Sequence, residues 1–183
     1  MSRRLKPEEC VLMVVDVQER LLPQIHEHDH VNAQCAKLAR GASVLGVPII
    51  WTEQYKKGLG ETTPEIRAAI GDGAQSFEKM SFGCLADPKI HDEVKRIGRR
   101  KIILCGIEAH ICVAQTALQA MDEGYDVALA EDAVSSRRPS DCETGIARMR
   151  QAGVIPATVE MLLMEWLGEA GTPQFKQILP LIK

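Results

Sequence analysis

A parallel β-sheet covered by helices on both faces, an α/β fold, is what this sequence predicts. Three observations carry that expectation: short apolar runs spaced along the chain, helix-periodic stretches between them, and Gly or Pro at the joins. With 183 residues, 45% of them hydrophobic, the chain can bury one substantial core and is short for two domains, so one domain over 1–183 is expected.

Val11 to Val17 (VLMVVDV) is apolar but for one acid, as suits a central strand buried on both faces, and places Asp16 at its carboxyl end. From Asp29 to Leu45, Val31, Cys35, Leu38, Ala39, Ala42 and Leu45 recur at helical spacing, and Gly46 and Pro48 end the run. Pro48 to Thr52 (PIIWT) is the next strand. The polar stretch Glu53 to Thr63, with Gly58 and Gly60, is a loop of a length that often carries function. Pro64 to Ile70 makes a short helix, and Ala74 to Lys79 (AQSFEK) an edge strand that delivers Lys79 to its end.

Pro88 opens a helix that reaches Ile97, and Gly98 closes it before the strand Lys101 to Cys105 (KIILC). Gly106 begins a turn. A helix from about His110 to Glu123 follows, with Ile111, Ala114, Leu118 and Met121 on one face and Gly124 as its left-handed cap. Asp126 to Ala130 is a strand, and Ser140-Asp-Cys-Glu143 has the capping-box pattern for a helix running to Gln151 and stopped by Gly153. Val154 to Thr158 is a last short strand; Val159 to Leu167 and Pro173 to Ile182 are terminal helices.

The formal charge of -3, without a basic stripe interleaved with aromatics, argues against nucleic acid as the main partner. Met1 to Glu9 is polar and no run has membrane length, so a cytoplasmic protein without a membrane partner is expected. The six cysteines are scattered and form no Cys-x-x-Cys pair, which favours free thiols over disulfides or structural zinc.

In a sheet of this kind ligands bind beyond the carboxyl ends of the strands, near the point where strand order reverses. Asp16, Lys79 and the segment Gly106 to Cys112 all fall at such ends. Taken singly, Asp16 caps a turn, Lys79 is a solvated charge and Cys112 a packed thiol. Together they suit nucleophilic chemistry. A thiol at a helix start, with an ammonium nearby, is expected to ionise readily, and the acid can take its proton and return it to a leaving group.

The strand LMVVDVQE with Asp16, the segment FEKMSFG with Lys79, LCGIEAHICV with Cys112 and the following EGYDVALAEDAVSSR resemble, in order and spacing, the isochorismatase-like cysteine hydrolases, a group that includes nicotinamidases. The likeness covers nearly the whole chain. TEQYKKGLGET and the tail PQFKQILPLIK point within it to the isochorismatase-domain-containing proteins. The resemblance implies a three-layer α/β/α fold, Rossmann-like, with a six-stranded, mainly parallel sheet in the order 321456, and a cis peptide at Ile107-Glu108. It also implies a catalytic set of Asp16, Lys79 and Cys112, with the backbone N–H groups of Glu108 and Cys112 as the oxyanion hole. The chemistry it implies is attack of Cys112 on a carbonyl, loss of an amine, and hydrolysis of a thioester. Isochorismatases proper cleave a vinyl ether and lack this cysteine, so its presence points to amidase-like chemistry on a small molecule. A homo-oligomer, dimer or higher, is implied as well.

Nicotinamidases hold a metal through an Asp-x-His motif after the second strand; the matching stretch Trp51 to Tyr55 has no histidine, so neither metal nor other cofactor is expected. His26-Glu-His28-Asp-His30 has metal-ligand residue types but reads as a polar loop before a helix. Trp51, Tyr55, Phe82 and His110 are pocket candidates, with core packing the alternative for the aromatics and a backbone-satisfied helix start for His110. Glu108 would stand at the pocket mouth or turn to solvent, and Arg137 and Arg138 would face solvent or a subunit. Nicotinamidase-like activity and a catalytically silent scaffold remain the competing readings.

Overall fold

The computed structural model describes residues 4–71, 74 and 76–183. Six strands, β1 (Cys10–Val15), β2 (Ile49–Gln54), β3 (Ser76–Lys79), β4 (Lys101–Ile107), β5 (Asp126–Ser135) and β6 (Ile155–Ala157), form one sheet in the order β3-β2-β1-β4-β5-β6. Every neighbouring pair runs parallel. The expected 321456 sheet is therefore the observed one. Gln75, within the expected edge strand, lies outside the described residues.

Among the described residues eight α-helices accompany the strands, the last two after β6: α1 (His28–Leu45), α2 (Lys56–Leu59), α3 (Pro64–Ile70), α4 (Pro88–Ile97), α5 (Ala114–Asp122), α6 (Pro139–Ala152), α7 (Val159–Leu167) and α8 (Pro173–Ile182). Strand alternation divides the core between the two faces. Leu12 and Val14 of β1 pack with Leu38 of α1, Ile66 of α3 and Leu162 of α7 on one face. Val11, Met13 and Val15 pack with Ile90 of α4, Ala117 of α5 and Met149 of α6 on the other. Among the described residues no helix is long and apolar enough to cross a membrane.

The sequence-based boundaries fail where one residue imitates punctuation. β4 continues through Gly106, expected as a turn, because β1 runs so close that a Cβ there would lie 2.1 Å from the Val15 carbonyl oxygen. Gly106 also sits at φ +112°, a region that side chains disfavour. β5 runs on to Ser135 past Glu131 and Asp132, whose charges broke the apolar pattern; there the pairing with β4 shifts register, and Asp132 accepts the Val159 N–H at 2.8 Å. The helix expected from His110 starts instead with a π-helical turn, Ala109–Val113, before α5. The capping box fails too: Pro139 sets the first position of α6, with Arg138 as its cap residue, so Ser140 falls inside the first turn.

Replacing Gly106 with alanine is expected to destabilise the protein by about 3–5 kcal/mol, from overpacking plus backbone strain. Denaturant unfolding checks this, and a loss under about 1 kcal/mol would contradict the close β1–β4 approach.

Candidate active site

β1 and β4 lie side by side at the sheet centre, and the chain leaves them for opposite flanks, so the crevice expected of such folds opens beyond their carboxyl ends. Asp16 follows β1. Regular alternation would send its side chain to the α1 face with Leu12 and Val14, but its backbone turns left-handed, φ +52°, which Asp tolerates better than most residues. The carboxylate instead meets groups of the opposite face. Its Oδ1 accepts the Thr52 hydroxyl at 2.6 Å and its Oδ2 accepts Lys79 Nζ at 2.7 Å.

Lys79 is equally enclosed: the two side chains of this ion pair are 0% and 1% exposed. The ammonium also donates to Gln54 Oε1 at 2.7 Å and to the Ser81 and Phe82 carbonyls at 3.1 and 3.2 Å. Burial, the largest single influence, works to lower its pKa, but Asp16 and the nearby Cys84 and Cys112 together outweigh it and the net shift is upward. Lys79 is a permanent cation.

Cys112 stands in the π-helical turn, 7% exposed, with its thiol close enough to Asp16 to feel that carboxylate. The turn is wide because the Ile111 and Val113 N–H groups both donate to the Glu108 carbonyl, at 3.1 and 3.2 Å. Behind it, Thr116 Oγ1 donates to the Cys112 carbonyl at 2.6 Å and accepts the Cys84 N–H at 2.9 Å. The Ile107-Glu108 peptide is cis.

Burial, followed by the Asp16 charge, pushes the Cys112 thiol well above the usual range, and Lys79 offsets only part of this. The expectation of an easily ionised thiol is thereby corrected. Lys79 is already neutralised by Asp16, so the sulfur sees a nearly neutral pair in a poorly solvated setting, and the resting group is a thiol.

The remaining candidates divide. Tyr55 and Phe82 are exposed and border Lys79: the Tyr55 N–H donates to the Lys79 carbonyl at 3.0 Å, and the Phe82 carbonyl accepts from its ammonium. Trp51 is not brought to the site; it packs in the α1-face core, on the other side of the sheet from Cys112. His110 is half-buried, its Nδ1 2.8 Å from Ser136 Oγ, and the α6 backbone at Gly145 presses so close that a Cβ there would lie 2.7 Å from the His110 Cα. Glu108 turns neither to the mouth nor to solvent; its buried Oε2 accepts both the N–H and Nε of Arg137, at 2.9 and 3.1 Å. Arg137 is therefore anchored rather than loose on the surface. The His26 to His30 segment, like the rest of the described residues, contains no group of three or more side chains placed to hold a metal ion.

Sequence reasoning missed Thr52, Gln54 and Gln18. Carrying the PIIWT strand two residues further would have shown Thr52 and Gln54 on one face. Gln18 braces the loop over the site: its Nε2 donates to the Gln54 and Gly60 carbonyls at 3.0 and 2.7 Å, and its Oε1 accepts the Gln54 N–H at 2.8 Å.

A doubly wound α/β sheet whose carboxyl edge joins a cysteine, a carboxylate and a buried ammonium defines the protein's class. The Isochorismatase domain profile matches residues 10–161. Isochorismatase domain-containing protein 2 of Danio rerio is 37% identical over 180 residues, covering 98% of this chain and 89% of that protein. The MAR1 ribonuclease from Caenorhabditis elegans has a TM-score of 0.92 at 35% identity, covering 98% of this chain and 92% of that one. YcaC from Escherichia coli, described as an octameric hydrolase of unknown specificity, shares the fold with a TM-score of 0.91 at 24% identity, over 99% of this chain and 91% of that one. The chain belongs to the isochorismatase family of hydrolases.

Removing one partner of the Asp16–Lys79 pair leaves a buried charge alone, so Lys79→Ala is expected to cost about 3–5 kcal/mol of stability. Iodoacetamide labelling of Cys112, followed by peptide mass mapping, is expected to rise with pH through a midpoint above the ordinary thiol range. Asp16→Asn removes the charge that opposes ionisation while Lys79 stays, so it should move that midpoint down. An upward or absent shift would contradict the assigned electrostatics.

Proposed function

We propose that the protein is a metal-independent cysteine hydrolase, a single domain over 1–183, that opens a small amide or related carbonyl compound through a thioester on Cys112. The observation that carries this reading is a buried carboxylate beside both an ammonium and a thiol: Asp16 bonds Lys79 at 2.7 Å, and its charge bears on Cys112.

Because the resting sulfur is protonated, attack and proton transfer run together. The Cys112 sulfur bonds to the substrate carbonyl carbon as its proton passes to Asp16, and the carbonyl electron pair moves onto oxygen. The backbone N–H groups of Glu108 and Cys112 are the donors for that oxyanion. Collapse of the tetrahedral intermediate breaks the C–N bond, and the departing amine takes the proton back from Asp16. A water then gives a proton to Asp16 as it attacks the thioester; release of the acid returns that proton to sulfur. Lys79 keeps its proton throughout. Its role is to balance and point the Asp16 side chain.

A nicotinamidase-like reading has less support. The carboxylate in the Trp51 to Tyr55 stretch, Glu53, accepts the Thr62 N–H and hydroxyl at 2.8 and 3.1 Å and pairs with Lys56 at 3.0 Å, so it serves the loop. The worm relative is described as a ribonuclease, but a net charge of -3 offers little to a phosphate backbone. A homo-oligomer is in keeping with the octameric YcaC.

A panel of small amides, assayed for ammonia release and for mass adducts on Cys112, tests the reading. The wild type is expected to turn over at least one member and to accumulate an acyl adduct, and Cys112→Ala to lose about 10³-fold or more in kcat. Undiminished turnover by Cys112→Ala would sink covalent catalysis. Absence of both turnover and adduct would favour the silent scaffold.

A further inference from the structure

We propose that Arg137 is a substrate-binding residue that receives a carboxylate, so that the amide opened at Cys112 carries an acidic group beside its scissile carbonyl. The inference rests on the Cys112 reading and adds the substrate class.

Position comes first. β4 and β5 pair to their ends, Ile107 opposite Ser135, so Arg137 emerges at the sheet's carboxyl edge directly beside Glu108. The Glu108 carbonyl in turn holds the Cys112 turn together through the Ile111 and Val113 N–H groups. Through Glu108 the guanidinium is thus tied to the turn that carries the sulfur.

Construction comes second. The Glu108 side chain is 7% exposed and that of Arg137 54%. The carboxylate grips the arginine by its main-chain N–H and by Nε, the root of the guanidinium, which leaves the two terminal amino groups in the exposed half of the side chain. An arginine held this way has lost most of its freedom before any ligand arrives, and its open edge keeps two parallel donors, the fork that matches a carboxylate. Burying an ionised glutamate solely to immobilise a surface arginine would serve no stabilising end.

Charge comes third. Lys79 cannot receive a substrate anion, because its donors are committed to Asp16, Gln54 and the Ser81 and Phe82 carbonyls. The only acid bonded to Arg137 among the described residues is Glu108. A small monoanion reaching Cys112 finds its complementary donors at Arg137.

The test compares two amides of one length, succinamate, with a free carboxylate, and succinamide, without one. Arg137→Gln is expected to reduce kcat/KM for succinamate at least about tenfold more than for succinamide, chiefly through KM, so that the ratio of the two falls. Arg137→Lys keeps a cation for Glu108, and the double variant Glu108→Gln/Arg137→Gln leaves no buried charge alone; both should fold and both should lose the preference. Binding of succinate to Cys112→Ala, by calorimetry at millimolar ligand, reads the same contact without turnover and should vanish when Arg137→Gln is added. An unchanged succinamate-to-succinamide ratio in the variants, or succinate binding that is absent or indifferent to Arg137, overturns the proposal. If wild type opens neither amide, the Cys112 reading is in difficulty while succinate binding still decides on Arg137.

Discussion

An ammonium and a carboxylate closed off from water, 2.7 Å apart with side chains 0% and 1% exposed, set the terms for everything around them. Each is expensive to bury, and each is tolerated only because the other is there with further bonds on its remaining valences. Thr52 fills the second oxygen of Asp16; Gln54 and two main-chain carbonyls fill the ammonium. Three strand ends must therefore arrive together, which is what the β3-β2-β1 half of the sheet provides. The left-handed backbone at Asp16 is the local concession that lets a side chain due for one face serve the other.

The other half of the sheet supplies the sulfur and its surroundings. β4 and β5 end beside each other, and the Glu108–Arg137 bond ties the turn that carries Cys112 to the segment that follows β5. The two halves meet across a single gap between β1 and β4, bridged at the chemistry by the approach of Asp16 to Cys112.

The sheet was legible because buried parallel strands are apolar over their whole length, and VLMVV and KIILC can be little else. The helices were legible from period and from Gly or Pro boundaries. What stayed hidden depends on departures from regularity: a glycine inside β4, two acids within β5, and a π-helical turn where an α-helix was expected. At the site, reactive residue types stood out, but their protonation did not. Whether Lys79 is available to ionise a thiol depends on what else it touches, and that is a matter of tertiary distance. Likewise Glu108 and Arg137, 29 positions apart, carry no mutual signal in sequence, and Trp51 looked like a pocket residue only until its strand face was known.

Gln18 grips both the strand holding Gln54 and the far end of the loop, at Gly60. Because Gln54 is a ligand of the Lys79 ammonium, the Gln18 amide links the loop mechanically to the buried cation. Divergence toward new specificities is thereby channelled. The short helix Lys56–Leu59 can vary in size and chemistry, while its two anchor points resist change, since shifting either would reach the buried Asp16–Lys79 pair. Relatives that differ in what they accept would then differ at the crest of this loop and hardly at all at its feet.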